Sequence, residues 1–300
     1  MTTLIQELKT RPVQVSDGAW GTALQNRGLE MGACPEMWNI DHPGEIRAIA
    51  EAYRDAGAQL LTTNTFGGTR FKLGMRGLED RVAEINRSAA AIAREVMGPE
   101  AHILGSIGPS GHMLLTGDVT EEELYEGFAE QAKALEEGGA DVAVVETMSA
   151  IDEASIAVRA ARENTRMEII CSFTYNLLPD GQYRTMMGVS PMEMAPALLD
   201  AGADMIGSNC TLGPKEMVGV VRELRAAAPD TPLLASPNAG SPTRTEEGED
   251  VFPETPESMA ESVPALLDAG VNILGGCCGT TDAHIRAIAK AVSEYRGASA

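Results

Sequence analysis

Five cysteines stand in the chain, at positions 34, 171, 210, 277 and 278, and two of them are adjacent. The pair lies in Gly275-Gly-Cys-Cys-Gly279, where glycines on both sides leave the backbone free to turn both sulfurs toward one point. Cys210 closes the run Gly207-Ser-Asn-Cys210. Three thiolates brought together suit Zn²⁺, filling three tetrahedral corners and leaving the fourth for water or a ligand. A closed structural site would want a fourth Cys or a His. An arbitrary Cys-Cys pair reads instead as small core filler or as a vicinal disulfide. The flanking glycines and the third cysteine favour metal. Cys34, in a loop, and Cys171, inside a strand, read as structural.

Such a centre would carry high negative charge, which makes it a poor generator of hydroxide. It is better suited to hold an incoming thiol as thiolate, lowering a pKa that otherwise lies near ~8.5. Thiol alkylation is the chemistry expected, with hydrolysis the weaker alternative.

The elements that must position these sulfurs follow a recurring grammar. Asp55-Ala-Gly-Ala, Glu137-Gly-Gly-Ala, Asp200-Ala-Gly-Ala and Asp268-Ala-Gly-Val each end a helical stretch and open a short aliphatic run. Glycine after a last helical turn supplies a left-handed cap, and a short run apolar on both faces reads as a parallel strand. Strands are predicted near 13–17, 58–64, 102–107, 140–146, 168–174, 203–209, 232–236 and 271–275. Helices are predicted near 43–56, 79–97, 120–137, 150–163, 190–201, 215–227, 256–268 and 282–296. Thr120 before three glutamates and Thr255-Pro256 mark two helix starts. Eight strands each followed by a helix predict a single-domain (β/α)₈ barrel over residues 1–300, with a doubly wound open sheet as the alternative.

A barrel gathers the C-terminal ends of its strands at one site. Those ends read Asp17-Gly-Ala-Trp-Gly-Thr22, Asn64-Thr-Phe, Gly105-Ser-Ile-Gly-Pro-Ser-Gly111, Glu146-Thr, Asn209-Cys210, Pro237-Asn-Ala-Gly240 and Gly275-Gly-Cys-Cys-Gly-Thr280. Polar, glycine-rich and thiol-bearing residues share one level. Lys and Arg number 23 against 44 Asp and Glu, a formal charge of −21, which argues against nucleic acid or an anionic membrane as partner. Neither a signal-peptide core nor an apolar run of about 20 residues is present, so a cytoplasmic protein is expected. No lysine closes a strand, which disfavours a Schiff-base aldolase.

Together these stretches resemble the homocysteine S-methyltransferase family, which includes the homocysteine domain of cobalamin-dependent methionine synthase and betaine–homocysteine methyltransferase. The matching pieces are Asp17-Gly-Ala-Trp-Gly-Thr22, Thr63-Asn-Thr-Phe66, Gly105-Ser-Ile-Gly-Pro109, Glu146-Thr147, Gly207-Ser-Asn-Cys210 and Gly275-Gly-Cys-Cys-Gly279. The resemblance implies a (β/α)₈ barrel with Zn²⁺ on Cys210, Cys277 and Cys278. It implies homocysteine as the methyl acceptor, its thiolate in the open metal position. Asp17 and Glu146 would hold the substrate ammonium, and backbone N–H groups around Gly18 and Ala19 its carboxylate. Asn64 and Asn209, inside matching stretches, are further expected substrate contacts.

The methyl donor is the weaker reading. In the betaine enzymes aromatics follow the Thr-Phe of strand 2 and the strand-4 glutamate; here those positions are Gly67 and Thr147, and Trp38 alone resembles that cage. The C-terminal extension of the betaine enzymes is also missing. Pro237-Asn-Ala-Gly-Ser-Pro242 and Glu254-Thr-Pro-Glu257 resemble the corresponding loop of methionine synthase. The acidic stretch from Ser236 to Pro256 lies on the active-site face and could dock a donor. Asp282-Ala-His284 resembles a cobalamin-binding motif, but Ala287 replaces its glycine, so the match reads as false. A methyl-corrinoid carried by a separate protein is the expected donor, making this the homocysteine subunit of a split methionine synthase. Betaine or S-methylmethionine as donor, another thiol as acceptor, and a non-catalytic zinc-binding subunit are the alternatives. His42, His102 and His284 read as structural; His112 lies on the correct face.

Overall fold

The computed structural model describes residues 2–244 and 250–298. Eight strands form one sheet: β1 (Gln14–Val15), β2 (Leu60–Thr62), β3 (His102–Ile107), β4 (Val142–Met148), β5 (Glu168–Phe173), β6 (Met205–Asn209), β7 (Leu233–Ser236) and β8 (Ile273–Leu274). Their order is β1-β8-β7-β6-β5-β4-β3-β2, and every adjoining pair runs parallel. One backbone bond and one side-chain bond from Gln59, just before β2, draw β1 and β2 together. The Gln59 N–H donates to Val15 O at 2.8 Å, and Gln59 Oε1 accepts the Val15 N–H at 3.2 Å. The sheet is therefore a nearly closed (β/α)₈ barrel, as expected.

Helices follow the strands close to the predicted ranges, from Pro43–Asp55 through Asp282–Ala298. The four glycines of the recurring grammar, Gly57, Gly139, Gly202 and Gly270, all take φ between 101° and 105°. That left-handed turn is nearly closed to side chains bearing a Cβ and lets each chain fold back into its strand. Thr120 and Glu123 form a reciprocal cap, as the threonine-glutamate spacing predicts. The single helix expected at 256–268 divides into Pro256–Glu261 and Val263–Asp268. Pro264 has no N–H to continue the ladder and crowds the preceding turn, so the chain breaks at Ser262.

One unpredicted helix, Leu4–Thr10, closes the barrel floor. Its Leu4 and Leu8 pack with Leu60, Leu104, Val142, Val144, Ile170, Met205, Leu234 and Ile273. The Glu168 carboxylate at the start of β5 accepts the Leu4 and Ile5 N–H groups at 2.6 and 3.2 Å, satisfying the helix's first donors. With the floor filled, the cavity inside the barrel is lined at the C-terminal ends of the strands. Two small hairpins rise there, Asn176–Leu177 with Tyr183–Arg184 and Thr243–Arg244 with Asp250–Val251. Residues 245–249 of the acidic stretch expected to dock a donor lie outside the described residues. Among the described residues no helix is long and apolar enough to cross a membrane.

Candidate active site

The cysteine segments are stitched into the barrel wall by backbone bonds. Gly276 N–H donates to Asp17 O at 2.9 Å, Cys277 N–H to Pro237 O at 2.8 Å, and Cys210 N–H to Ser236 O at 3.0 Å. Glycine at 276 is required by this closeness: a Cβ there would stand 2.5 Å from Thr280 Oγ1. Cys210 itself takes φ 62° and its neighbour Thr211 φ 59°, a left-handed pair without glycine. Such strain persists only where the surroundings hold it, and here it swings the Cys210 sulfur toward the adjacent pair.

All three sulfurs lie within 4.8 Å of one another, with Cys210 Sγ 3.7 Å from Cys278 Sγ. Thiolates bound tetrahedrally at about 2.3 Å from Zn²⁺ stand roughly 3.8 Å apart, so the donor set fits the metal in spacing as well as in softness. Each cysteine is a free thiol. Without a cation this crowding supports a single negative charge. Thiol hydrogen bonds from Cys277 and Cys278 hold Cys210 far below the ordinary thiol range, while Cys210 pushes Cys277 and Cys278 up.

Three carboxylates line the cavity, and two of them, Asp17 and Glu146, were expected. Asp17 is buried beyond β1 and accepts from Thr62 Oγ1 at 2.7 Å, Trp20 Nε1 at 2.9 Å, Thr62 N–H at 3.0 Å and Ser16 Oγ at 3.0 Å. Burial raises its pKa while these bonds oppose the rise. Glu146, near the end of β4, accepts from Ser106 Oγ at 2.5 Å, and burial pushes it up to about 7.

Every predicted site residue lines one cavity of about 460 Å³: Asp17, Gly18, Ala19, Asn64, Glu146, Asn209, Cys210, Cys277 and Cys278. Among the described residues, no Lys, Arg or His lines it. A cavity with thiols and carboxylates but no basic side chain is built for a positively charged ligand. Ala19 N–H is already taken by Thr280 Oγ1 at 3.1 Å. The short helix Trp20–Gln25 begins beside it, and its first N–H groups have no partner within the helix. Asn64 Nδ2 donates to Pro35 O at 2.8 Å, tying β2 to the loop after β1.

Other expectations fall elsewhere. Trp38 stacks on His42, with ring centroids 4.5 Å apart, and is absent from the cavity wall. His112 meets the edge of Phe71, and His284 joins Thr281 to the Glu254 carbonyl. Cys171 is buried in β5, and Cys34 donates to Glu36 Oε2 at 3.2 Å.

Glu36 is the residue that sequence reasoning missed. It is buried and lines the cavity, and its Oε1 accepts the Gly67 N–H at 2.7 Å. A Cβ at Gly67 would stand 2.6 Å from that oxygen, so the carboxylate depends on glycine at this position. Its signal was an acidic residue beside Pro35 in the loop that opens the mouth.

Convergent thiols and carboxylates at the C-terminal ends of parallel barrel strands mark the face where barrel enzymes carry their active sites. The chain belongs to the homocysteine S-methyltransferase family, whose model matches residues 14–292. It is 33% identical to methionine synthase of Mycobacterium tuberculosis over 98% of this chain and 26% of that protein. Against methionine synthase of Mycobacterium leprae the identity is 32%, over 97% of this chain and 25% of that protein. The chain thus spans about a quarter of the length of these relatives. In fold it is similar to the metallated form of the homocysteine methyltransferase MmuM from Escherichia coli. The TM-score is 0.77 at 22% identity, over 95% of this chain and 98% of that one.

Proposed function

We propose that this protein, with residues 1–300 acting as one homocysteine-binding domain, methylates homocysteine to methionine at a Zn²⁺ site of Cys210, Cys277 and Cys278. The donor is a methyl-corrinoid carried by a separate protein, so that the chain serves as the homocysteine subunit of a split methionine synthase. The observation that carries this reading is the pairing of three sulfurs within 4.8 Å with the carboxylates of Asp17 and Glu146 in a cavity whose wall, among the described residues, has no basic side chain.

Bound there, Zn²⁺ would supply a Lewis acid that lowers the pKa of a thiol entering its open position. The protein's own groups do the rest. Asp17 and Glu146 hold the substrate ammonium, and ionised Glu146 is favoured once that cation arrives. The Gly18 N–H and the free N–H groups opening the helix Trp20–Gln25 receive the carboxylate, Ala19 shaping the turn while its N–H stays on Thr280. Asn64 holds the wall of β2 against the substrate. The thiol proton leaves to solvent. A carbon–sulfur bond forms as the donor's bond to the methyl breaks, with the electron pair staying on the donor.

The corrinoid reading draws support from Gly67 and Thr147, which place no aromatic where a quaternary ammonium would be gripped, and from the identity to methionine synthases. The free thiols suit the reducing cytoplasm. The test is methionine formation by zinc-loaded protein from homocysteine with methylcobalamin, betaine or S-methylmethionine in parallel. Turnover with methylcobalamin alone is expected. Turnover with betaine or S-methylmethionine would reassign the donor, and zinc binding with no product from any donor, including a carrier-bound corrinoid, would mean a non-catalytic subunit.

A further inference from the structure

Asn209 joins the two halves of the site. It lies at the end of β6, immediately before Cys210, and is 2% exposed. Its Oδ1 accepts the Thr147 N–H at 3.0 Å and Ser172 Oγ at 2.8 Å. Its Nδ2 donates to Thr147 Oγ1 at 2.7 Å and reaches Glu146 Oε2 at 3.4 Å. The amide is thus fully engaged by the protein, with its strongest bonds running to the end of β4.

That end of β4 is irregular. The β4–β5 register shifts between Val145 and Met148, and Thr147 takes φ 60°. A β-branched residue at positive φ is a true outlier and needs an outside hold. Asn209 supplies it, its amide bonding both the main chain and the side chain of Thr147 much as a neighbouring peptide would. The next residue along, Cys210, is itself left-handed at φ 62°. One side chain therefore braces the strand end that carries the Glu146 carboxylate and sits immediately before Cys210 in the chain.

We propose that Asn209 is a positioning residue that sets the separation between Glu146 and Cys210, and with it the length of amino-thiol the pocket accepts. The inference rests on the proposed substrate, an α-amino acid whose thiol stands two methylenes from its α-carbon. Cysteine, one methylene shorter, is expected to fit both ends less well while that separation holds. Loosening Asn209 lets the two ends drift and erodes the distinction.

The experiment uses the full chain loaded with zinc. Zinc affinity is read by competition with a chromogenic chelator, and homocysteine and cysteine binding by calorimetry. Asn209→Ala is expected to weaken zinc by roughly 10–100-fold, the usual effect of losing an outer-shell support. It should also cut the homocysteine-to-cysteine preference by about tenfold or more, within the range that a misplacement of 1 Å produces. A merely structural role would lower melting temperature and leave that preference intact. Thr147→Gly supplies a second route, removing the 2.7 Å bond while glycine accepts the positive φ. A smaller loss of preference in the same direction is expected of it. Folded Asn209→Ala with wild-type preference overturns the proposal; if Asn209→Ala does not fold, an unchanged preference in Thr147→Gly overturns it. Wild-type protein that binds zinc but no homocysteine would overturn the proposed substrate instead, a separate result.

Discussion

Ser106 on β3 donates its hydroxyl to Glu146 Oε1 on β4 at 2.5 Å, so neighbouring strands share one short bond at the cavity wall. The bond opposes the effect of burial on the carboxyl, and burial wins, leaving Glu146 near 7. In the ligand-free pocket Glu146 is therefore poised between its acid and its anion. An ammonium ligand tips it to the anion.

The sign of the pH effect follows. Glu146 titrates at about 7 when folded against 4.5 ordinarily, so between those values the folded state binds more protons than the unfolded chain. Its contribution to stability is present at low pH and is lost as pH rises through that window. Melting temperatures of homocysteine-free protein and of Glu146→Gln, measured from pH 4.5 to 7, should diverge, the wild type falling more steeply. Parallel curves would show that Glu146 does not titrate there. In the same range homocysteine affinity should rise with pH in both proteins, because the thiol gives up a proton on binding, and more steeply in the wild type.

Removing one sulfur breaks the metal site outright. Cys210→Ala and Cys278→Ala should each weaken zinc by more than the ~10–100-fold that an outer-shell loss costs. Metal content after dialysis against a chelator measures this. Cys34→Ala, whose sulfur bonds Glu36 and stands outside the cluster, should retain zinc fully. Equal zinc in all three variants would dissociate the metal from these cysteines.

The helix-ending glycines offer a graded test of the fold. Gly139→Ala has room, since a Cβ there meets Arg94 at 3.5 Å, so its cost is the left-handed backbone alone, about 1–2 kcal/mol. Gly270→Ala adds a clash at 2.7 Å with Arg225 Nε, whose guanidinium also donates to the Gly270 carbonyl at 2.7 Å. Urea unfolding should show Gly270→Ala as the more destabilised. The reverse order would mean that the two caps do not share one conformation.

The barrel was legible because its punctuation repeats: four glycines at one backbone angle are one signal given four times. The cysteine cluster was legible for a related reason, since Cys-Cys between glycines has few structural readings once a third thiol closes another strand. The floor helix Leu4–Thr10 escaped notice because seven residues with apolar positions only at Leu4, Ile5 and Leu8 carry little periodicity. Its meaning lies in Glu168, 164 residues away from Leu4 in sequence. Asn209 could be placed at the site by position, yet its bonds to Thr147 depend on a register shift that no spacing encodes. Glu36 was missed because its importance comes from the missing side chain at Gly67, which lets its carboxylate reach the Gly67 N–H.

The central claim is that the three-cysteine centre and the acidic wall act together on one amino-thiol. Calorimetric titration of homocysteine into zinc-loaded and chelator-treated protein, repeated in buffers of different ionisation enthalpy, tests it most directly. The account predicts tight binding only to the zinc-loaded protein, with net proton release as the thiol ionises. Equal binding to metal-free protein, or binding with no proton released, would contradict it.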